Sequence, residues 1–226
     1  MDINKIDWTP LYLSGKLSIV TTVILLVLAA PLAYFLAFSR FRAKFLCSAL
    51  INLPLVLPPT VLGFYLLIVM KPGGFVGSVW ERFSDTSLLF SFPGIVFASL
   101  IYSLPFAVTP MLTAFAKVDI RHIESAKVLG LSSTAAFFRV ILPNSLNGIF
   151  ASGILVFVHT LGEFGVILMV GGSIPGKTKV SSIAIYEAVE ALRYGEAGFM
   201  SLVLLLICYI VLIMVNRLSE KNSYGT

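Results

Sequence analysis

Two titratable side chains fall inside an otherwise apolar stretch: His159 and Glu163, four residues apart and therefore on one face of a helix. An acid buried in such surroundings is costly unless it is paired, and a His159–Glu163 hydrogen bond is the arrangement this spacing offers. The pair is open to two readings, a gate or helix end between Gly162 and Gly165, or a structural contact. Nothing resembles a catalytic set. The chain has 2 histidines, His122 and His159, and 2 cysteines, Cys47 and Cys208, with no HExxH, GxSxG or CxxC pattern. An intramembrane hydrolase, a metal site and a disulfide framework are therefore not expected, and no cofactor is called for. Residues 171–178, G-G-S-I-P-G-K-T, do match the phosphate-loop pattern G-x-x-x-x-G-K-[ST]. That motif needs a strand before it and a nucleotide-binding fold around it; here an apolar run precedes it, so it reads as a turn.

A second constellation is backbone chemistry. Pro54, Pro58 and Pro59 remove three amide donors within one apolar stretch and clash with preceding carbonyls, at ~3 kcal/mol per interior proline. The helix must kink or unwind there. Broken helices persist in membranes where protein or water satisfies the freed groups. The break at Pro58 and Pro59 either lines a cavity, with Thr60 as a polar donor, or serves packing alone.

The elements that position these residues follow from composition. Hydrophobic residues make up 58% of the 226 and charged residues only 12%, with a mean hydropathy of +0.98. A soluble domain of this length could not bury that much apolar surface, whereas lipid accepts it if helices satisfy their own backbone. The chain is expected to be an all-α membrane protein with five transmembrane helices, at about residues 17–38, 45–70, 88–114, 144–171 and 198–216, in a single domain spanning 1–226. The shortest stretch reaches about 28 Å at ~1.5 Å per residue, enough for a hydrocarbon core of roughly 30 Å. The first is too long for the apolar region of a signal peptide. Residues 181–193 have apolar positions at Ile185, Ala188, Val189 and Leu192, which fits a short interfacial helix.

Lys and Arg in the loops set the orientation. Arg40, Arg42, Lys44, Lys117, Arg121, Lys127, Arg139, Arg217 and Lys221 fall on one side of a five-span chain, and the remaining seven lie on the other in more sequence. The denser side is assigned to the cytoplasm, with the amino terminus outside and the carboxyl terminus inside. The net charge of +5 forms no continuous patch, so nucleic acid is not an expected partner.

Between the third and fourth stretches lies a polar segment, residues 117–143. Asp119 suits an N-cap; Ile123, Ala126, Val128 and Leu129 supply an apolar face; Gly130 suits a left-handed C-cap; and Ser132 or Ser133 can cap a second helix before Pro143. Such a helix pair outside the bilayer exposes apolar residues unless a partner covers them.

The segment resembles the EAA loop of ABC importer permeases, E-A-A, three residues, G, nine residues, I, one residue, L-P. Glu124, Ser125, Ala126, Gly130, Val140, Leu142 and Pro143 stand at matching spacing, with Ser125 for Ala and Val140 for Ile. L-P-L-V-L-P-P-T-V-L at 53–62, L-G-E-F-G at 161–165 and I-P-G-K-T at 174–178 are similar to molybdate and sulfate permeases, and the doubled proline is closer to the molybdate group. The resemblance implies a type I ABC importer permease (MetI-like) fold. It also implies a homodimer in the bacterial inner membrane, docked on two cytoplasmic ABC ATPase subunits and served by a periplasmic oxyanion-binding protein. Glu124, Ser125, Ala126, Gly130, Leu142 and Pro143 would form the ATPase coupling loop; Pro58, Pro59, Thr60, His159 and Glu163 would be candidates for the pathway or gate. A carboxylate repels an oxyanion, so Glu163 is not expected to hold the substrate. Such a subunit has no catalytic site, and ATP hydrolysis falls to its partner. Sulfate, thiosulfate or tungstate are the alternative substrates. A secondary transporter is a different class, and it would require inverted repeats and midplane titratable groups.

Overall fold

The structure is a computed structural model that describes residues 7–39 and 41–223, without the side chains of Lys127 and residues 214–223. Lys5 and Arg40, counted above for orientation, lie outside the described residues, as do the side chains of Lys127, Arg217 and Lys221. Every regular element among the described residues is helical.

Helix α1, Thr9–Phe38, starts well before the charge-free run and carries Pro31 in its interior. It is apolar all round, which marks a helix bathed in lipid or protein rather than water. Ile19, Val23 and Val27 are exposed, while Leu25, Ala29, Ala33 and Leu36 repeat at helical spacing and are buried. The two alanines, four residues apart, let α6 (Leu104–Ala116) and α10 (Leu146–Leu161) approach closely. These three helices form the main core, with Met111, Phe115 and Val156 inside it.

The second stretch is not one straight crossing. Helix α2, Lys44–Val56, and α3, Pro59–Met70, meet at 113°. The residue before a proline is driven out of the helical region, and Leu57 and Pro58 each precede one. Both are extended, at ψ 137 and 136. The third stretch bends by 43° between α5, Phe92–Tyr102, and α6. The fourth, expected at 144–171, is broken twice: α10 joins the preceding segment at 74°, and Gly162 ends it before α11, Gly165–Gly171. Helix α13, Tyr194–Ser223, packs on α12 and α10 and is mostly unburied over Tyr194–Ile213. Among the described residues, two helices are thus long and apolar enough to cross a membrane alone, and the total reaches up to five when each bent pair counts as one crossing.

Two short helices fill the connections between α3 and α5 and between α11 and α13. Helix α4, Phe75–Ser84, occupies a loop where the sequence signalled none, closed by Asp85 at φ 52. Helix α12, Ser181–Glu190, fills the segment read as interfacial, but its buried face is Ser181, Ile183, Ala184 and Ala188. Val189 and Leu192, expected on that face, are exposed. Helix α11 is the most enclosed element: Leu62, Leu66 and Ala98 pack on one side of it, and Leu17, Ile95 and Ile183 on the other.

Candidate functional site

The polar segment between α6 and α10 is built by capping. Asp119 precedes α7, Ile120–Val128, and its carboxylate accepts from the Arg121 amide at 2.9 Å. The same carboxylate pairs with the Arg121 guanidinium at 2.7 Å. That ion pair, reinforced by the backbone amide, lowers the Asp119 pKa below its ordinary value. At the far end the Leu131 amide donates to the Ala126 carbonyl at 3.0 Å, the six-to-one bond of a Schellman closure. Gly130 sits at φ +85 with open space around its missing Cβ, so backbone conformation alone, and not crowding, calls for glycine there. Ser132 caps α8, Ser133–Ala136, by accepting from the Ala135 amide at 3.2 Å.

Helix α8 widens into a π turn, Phe137–Ile141, and continues as α9, Leu142–Asn144. The Leu142 amide reaches back to the Phe137 carbonyl, and Pro143 then contributes no amide of its own. This segment grips the membrane helices through a few side chains. Ile123 and Ala126 are buried. Phe137 stands edge-on to Tyr34 of α1 at 5.3 Å and to Phe115 of α6 at 5.9 Å. The outward side is different. Glu124 and Ser125 are exposed, and so are Val128 at 87% and Leu129 at 80%. The expected single apolar face is therefore split, with Ile123 and Ala126 inward and Val128 and Leu129 outward. Leu142 is half-buried and Pro143 exposed.

The two broken stretches come together. A Cβ built on Gly165 would lie 3.0 Å from Pro59 Cβ, and one on Gly63 would lie 2.7 Å from Met169 Cβ. Only glycines let α3 and α11 approach that closely. Pro58, Pro59 and Thr60 are exposed at the mouth of this contact. Glu163, two residues before Gly165, is 3% exposed.

His159 and Glu163 are neighbours, but their direct contact is long, 3.4 Å from Nδ1 to Oε1. The shorter partners are two hydroxyls that the sequence reading passed over. Ser99 donates to Glu163 Oε2 at 2.5 Å and Ser103 to Oε1 at 2.8 Å. Ser103 also meets His159 Nδ1 at 2.9 Å and Thr160 Oγ1 at 3.0 Å. Phe106 stacks on the imidazole at 4.2 Å. From α12, the Ser182 hydroxyl donates to the Glu163 carbonyl. One acid thus ties α5, α10 and α12 at the point where the helix breaks. The signal was present: Ser99 and Ser103 are four residues apart in an apolar run, and polar side chains in such runs face the bundle interior.

The phosphate-loop look-alike is a closed turn. Thr178 Oγ1 donates to the Gly171 carbonyl at 2.7 Å and accepts from the Ile174 amide at 3.1 Å, so its hydroxyl is used internally.

Bent apolar helices meet around a broken seam, with a capped helix pair projecting from them. The profile described as "Binding-protein-dependent transport system inner membrane component" matches residues 29–223, and the chain belongs to that family. Among its relatives, the molybdenum transport system permease protein ModB of Azotobacter vinelandii is 42% identical over 94% of both chains. The Escherichia coli K12 protein of the same name is 31% identical over 99% of both. The sulfate permease CysT of Escherichia coli K12 is 30% identical over 84% of this chain and 68% of its own. The inward-facing methionine ABC transporter MetNI has the same fold at a TM-score of 0.73 and 14% identity, covering 94% of each chain. A bacterial alginate importer follows at 0.67 and 16%, over 92% of this chain and 79% of that one.

Proposed function

We propose that this chain is the pathway-forming subunit of an ATP-driven importer for molybdate. It works as a homodimer above two cytoplasmic ATPase subunits and below a periplasmic oxyanion-binding protein. The observation that carries the substrate is the full-length likeness to the Azotobacter molybdenum permease, 42% over 94% of both chains, against 30% over 68% of the sulfate permease's length.

The amino terminus lies outside, which puts residues 117–143 on the ATPase side; the excess of Lys and Arg around this segment supports that placement. Glu124, Ser125, Ala126, Gly130, Leu142 and Pro143 form the grip, and exposed Val128 and Leu129 are the apolar surface that an ATPase cleft covers. When the ATPases close, α7 moves, and Ile123 and Phe137 carry that movement to α1 and α6. The pathway opens outward along the seam of Pro58, Pro59 and Thr60, beside Glu163. Hydrolysis in the partner resets it inward. His159 and Glu163 hold the broken helix rather than the substrate, because a carboxylate repels an oxyanion.

Proteoliposomes containing the chain, its ATPase and its binding protein test this reading. Uptake of radiolabelled molybdate should require ATP and be competed by tungstate more strongly than by sulfate. Uptake without the ATPase, or selective uptake of sulfate, would overturn it.

A further inference from the structure

Two cavities flank α5 near the start of α1, and they share Trp80, Phe92 and Pro93. They differ in chemistry. The outer one, about 470 Å³, is lined by Lys16 and Lys177 together with Thr86, Ser87 and Ser91. The inner one, about 510 Å³, runs between α1, α4 and α5 and is lined by apolar side chains such as Val20, Val96 and Leu100.

Neither lysine has a carboxylate partner among the described residues, whereas neighbouring Lys179 is paired with Glu187 at 2.5 Å. Lys16 instead lies 4.6 Å from the centre of the Phe92 ring, which leaves its ammonium free to meet an anion. Trp80, shared by both cavities, has a buried indole Nε1 with no acceptor. A buried donor left unpaired is costly, so an oxygen acceptor belongs at that junction.

We infer that this groove binds one anionic phospholipid, with its phosphate at Lys16 and Lys177, an ester or phosphate oxygen at Trp80, and an acyl chain along Val20, Val96 and Leu100. Charge complementarity selects the headgroup, and the uninterrupted apolar continuation selects a lipid over a free oxyanion, which would occupy only the mouth. Lysine ammonium groups attract an anionic headgroup on either face of the bilayer, and tryptophan is enriched at both interfaces, at headgroup level. The bound lipid would brace α4 and α1 against α5, whose Ser99, with Ser103 just past its end, holds Glu163.

Native mass spectrometry of the full-length chain within its transporter complex, supplied with phosphatidylglycerol or phosphatidylcholine, reads the occupancy. Phosphatidylglycerol should be retained preferentially, and the Lys16→Gln/Lys177→Gln double variant should lose that preference, by roughly five-fold per lysine. Both lysines are exposed, so the double variant is expected to fold. Val20→Trp, which fills the apolar half, should reduce retention of both lipids. Equal retention of the two lipids by the unaltered protein would overturn the inference. So would displacement of phosphatidylglycerol by excess inorganic phosphate or molybdate, which would assign the mouth to a free oxyanion.

Discussion

The segment around Gly130 and the cluster around Glu163 are both polar features of an apolar chain, yet they are held in opposite ways. The Gly130 segment is exposed and ordered by contacts close in sequence: the Asp119 carboxylate on the Arg121 amide, the Leu131 amide on the Ala126 carbonyl, Ser132 on Ala135. Glu163 is enclosed and ordered by partners far away in sequence, Ser99 on α5 and Ser103 at the bend between α5 and α6. A locally capped lever can move as a body without losing its own structure. An acid bonded to several helices fixes their relative positions and cannot be loosened piecemeal.

Replacing Glu163 breaks that contrast most severely. In Glu163→Ala the buried Ser99 hydroxyl loses its acceptor and Ser103 keeps only His159 and Thr160, and at about 1–3 kcal/mol for an unsatisfied buried group the expected loss is about 3 kcal/mol. Thermal unfolding in detergent measures it. Glu124→Lys, on the exposed side of α7, should leave the melting temperature unchanged while uncoupling ATP hydrolysis from uptake. If both variants melted alike, the distinction between brace and lever would fail. Phe137→Ala tests the joint between the two regions. Buried phenylalanines cost about 3–5 kcal/mol on truncation, and this half-buried one is expected to cost about 2 kcal/mol and to slow coupled transport.

What the sequence made legible follows the same division. Caps, the Gly130 turn and the proline break obey rules acting within four or five residues, so Asp119, Gly130, a cap at Ser132 or Ser133 and the Pro58–Pro59 break could be read from residue type alone. The membrane class followed from composition. The partners of Glu163 could not be paired in that way, because Ser99 lies 64 residues away and only packing of α5 against α11, beside the break that carries Glu163, joins them. Helix α4 was hidden for another reason: after glycine it reads F-V-G-S-V-W-E-R-F-S, with no polar N-cap side chain and an interior glycine, and packing on α3 holds it in place. The split of Val128 and Leu129 from Ile123 and Ala126 could not be read from residue type because all four are apolar, and only three-dimensional burial separates a face that packs inward from one left exposed.

Gly130 isolates the lever from its own stability. Because no neighbour crowds its Cβ position, Gly130→Ala should cost only the left-handed backbone, about 1–2 kcal/mol, and Gly130→Asn less. Uptake should fall further than stability in Gly130→Pro, whose fixed φ of roughly −65° is incompatible with φ +85. Measuring ATPase rate and uptake together in the three variants separates a bent lever from an unfolded one. Equal, proportionate losses in all three would reduce the turn to a stability element.

The smallest effect is expected at the cap of α7, and its sign is fixed by the charge pair. Asp119 has its pKa lowered by Arg121, first through the side-chain bond and then through the backbone amide. A carboxylate whose folded pKa lies below the unfolded value contributes stability that is fully present above the unfolded pKa and is lost as pH falls through the folded one. The cap should therefore hold at neutral pH and fray only at acid pH, below the ordinary carboxylate range. Hydrogen exchange of the Arg121 amide, to which the carboxylate bonds, reports it directly, once the intrinsic pH dependence of exchange is subtracted. Asp119→Asn keeps an acceptor for that amide and removes the charge, so protection should become independent of pH while the α7 turn persists. An unchanged acid-dependent loss in Asp119→Asn would assign the fraying to another group, and the local cap would no longer account for the order of the lever.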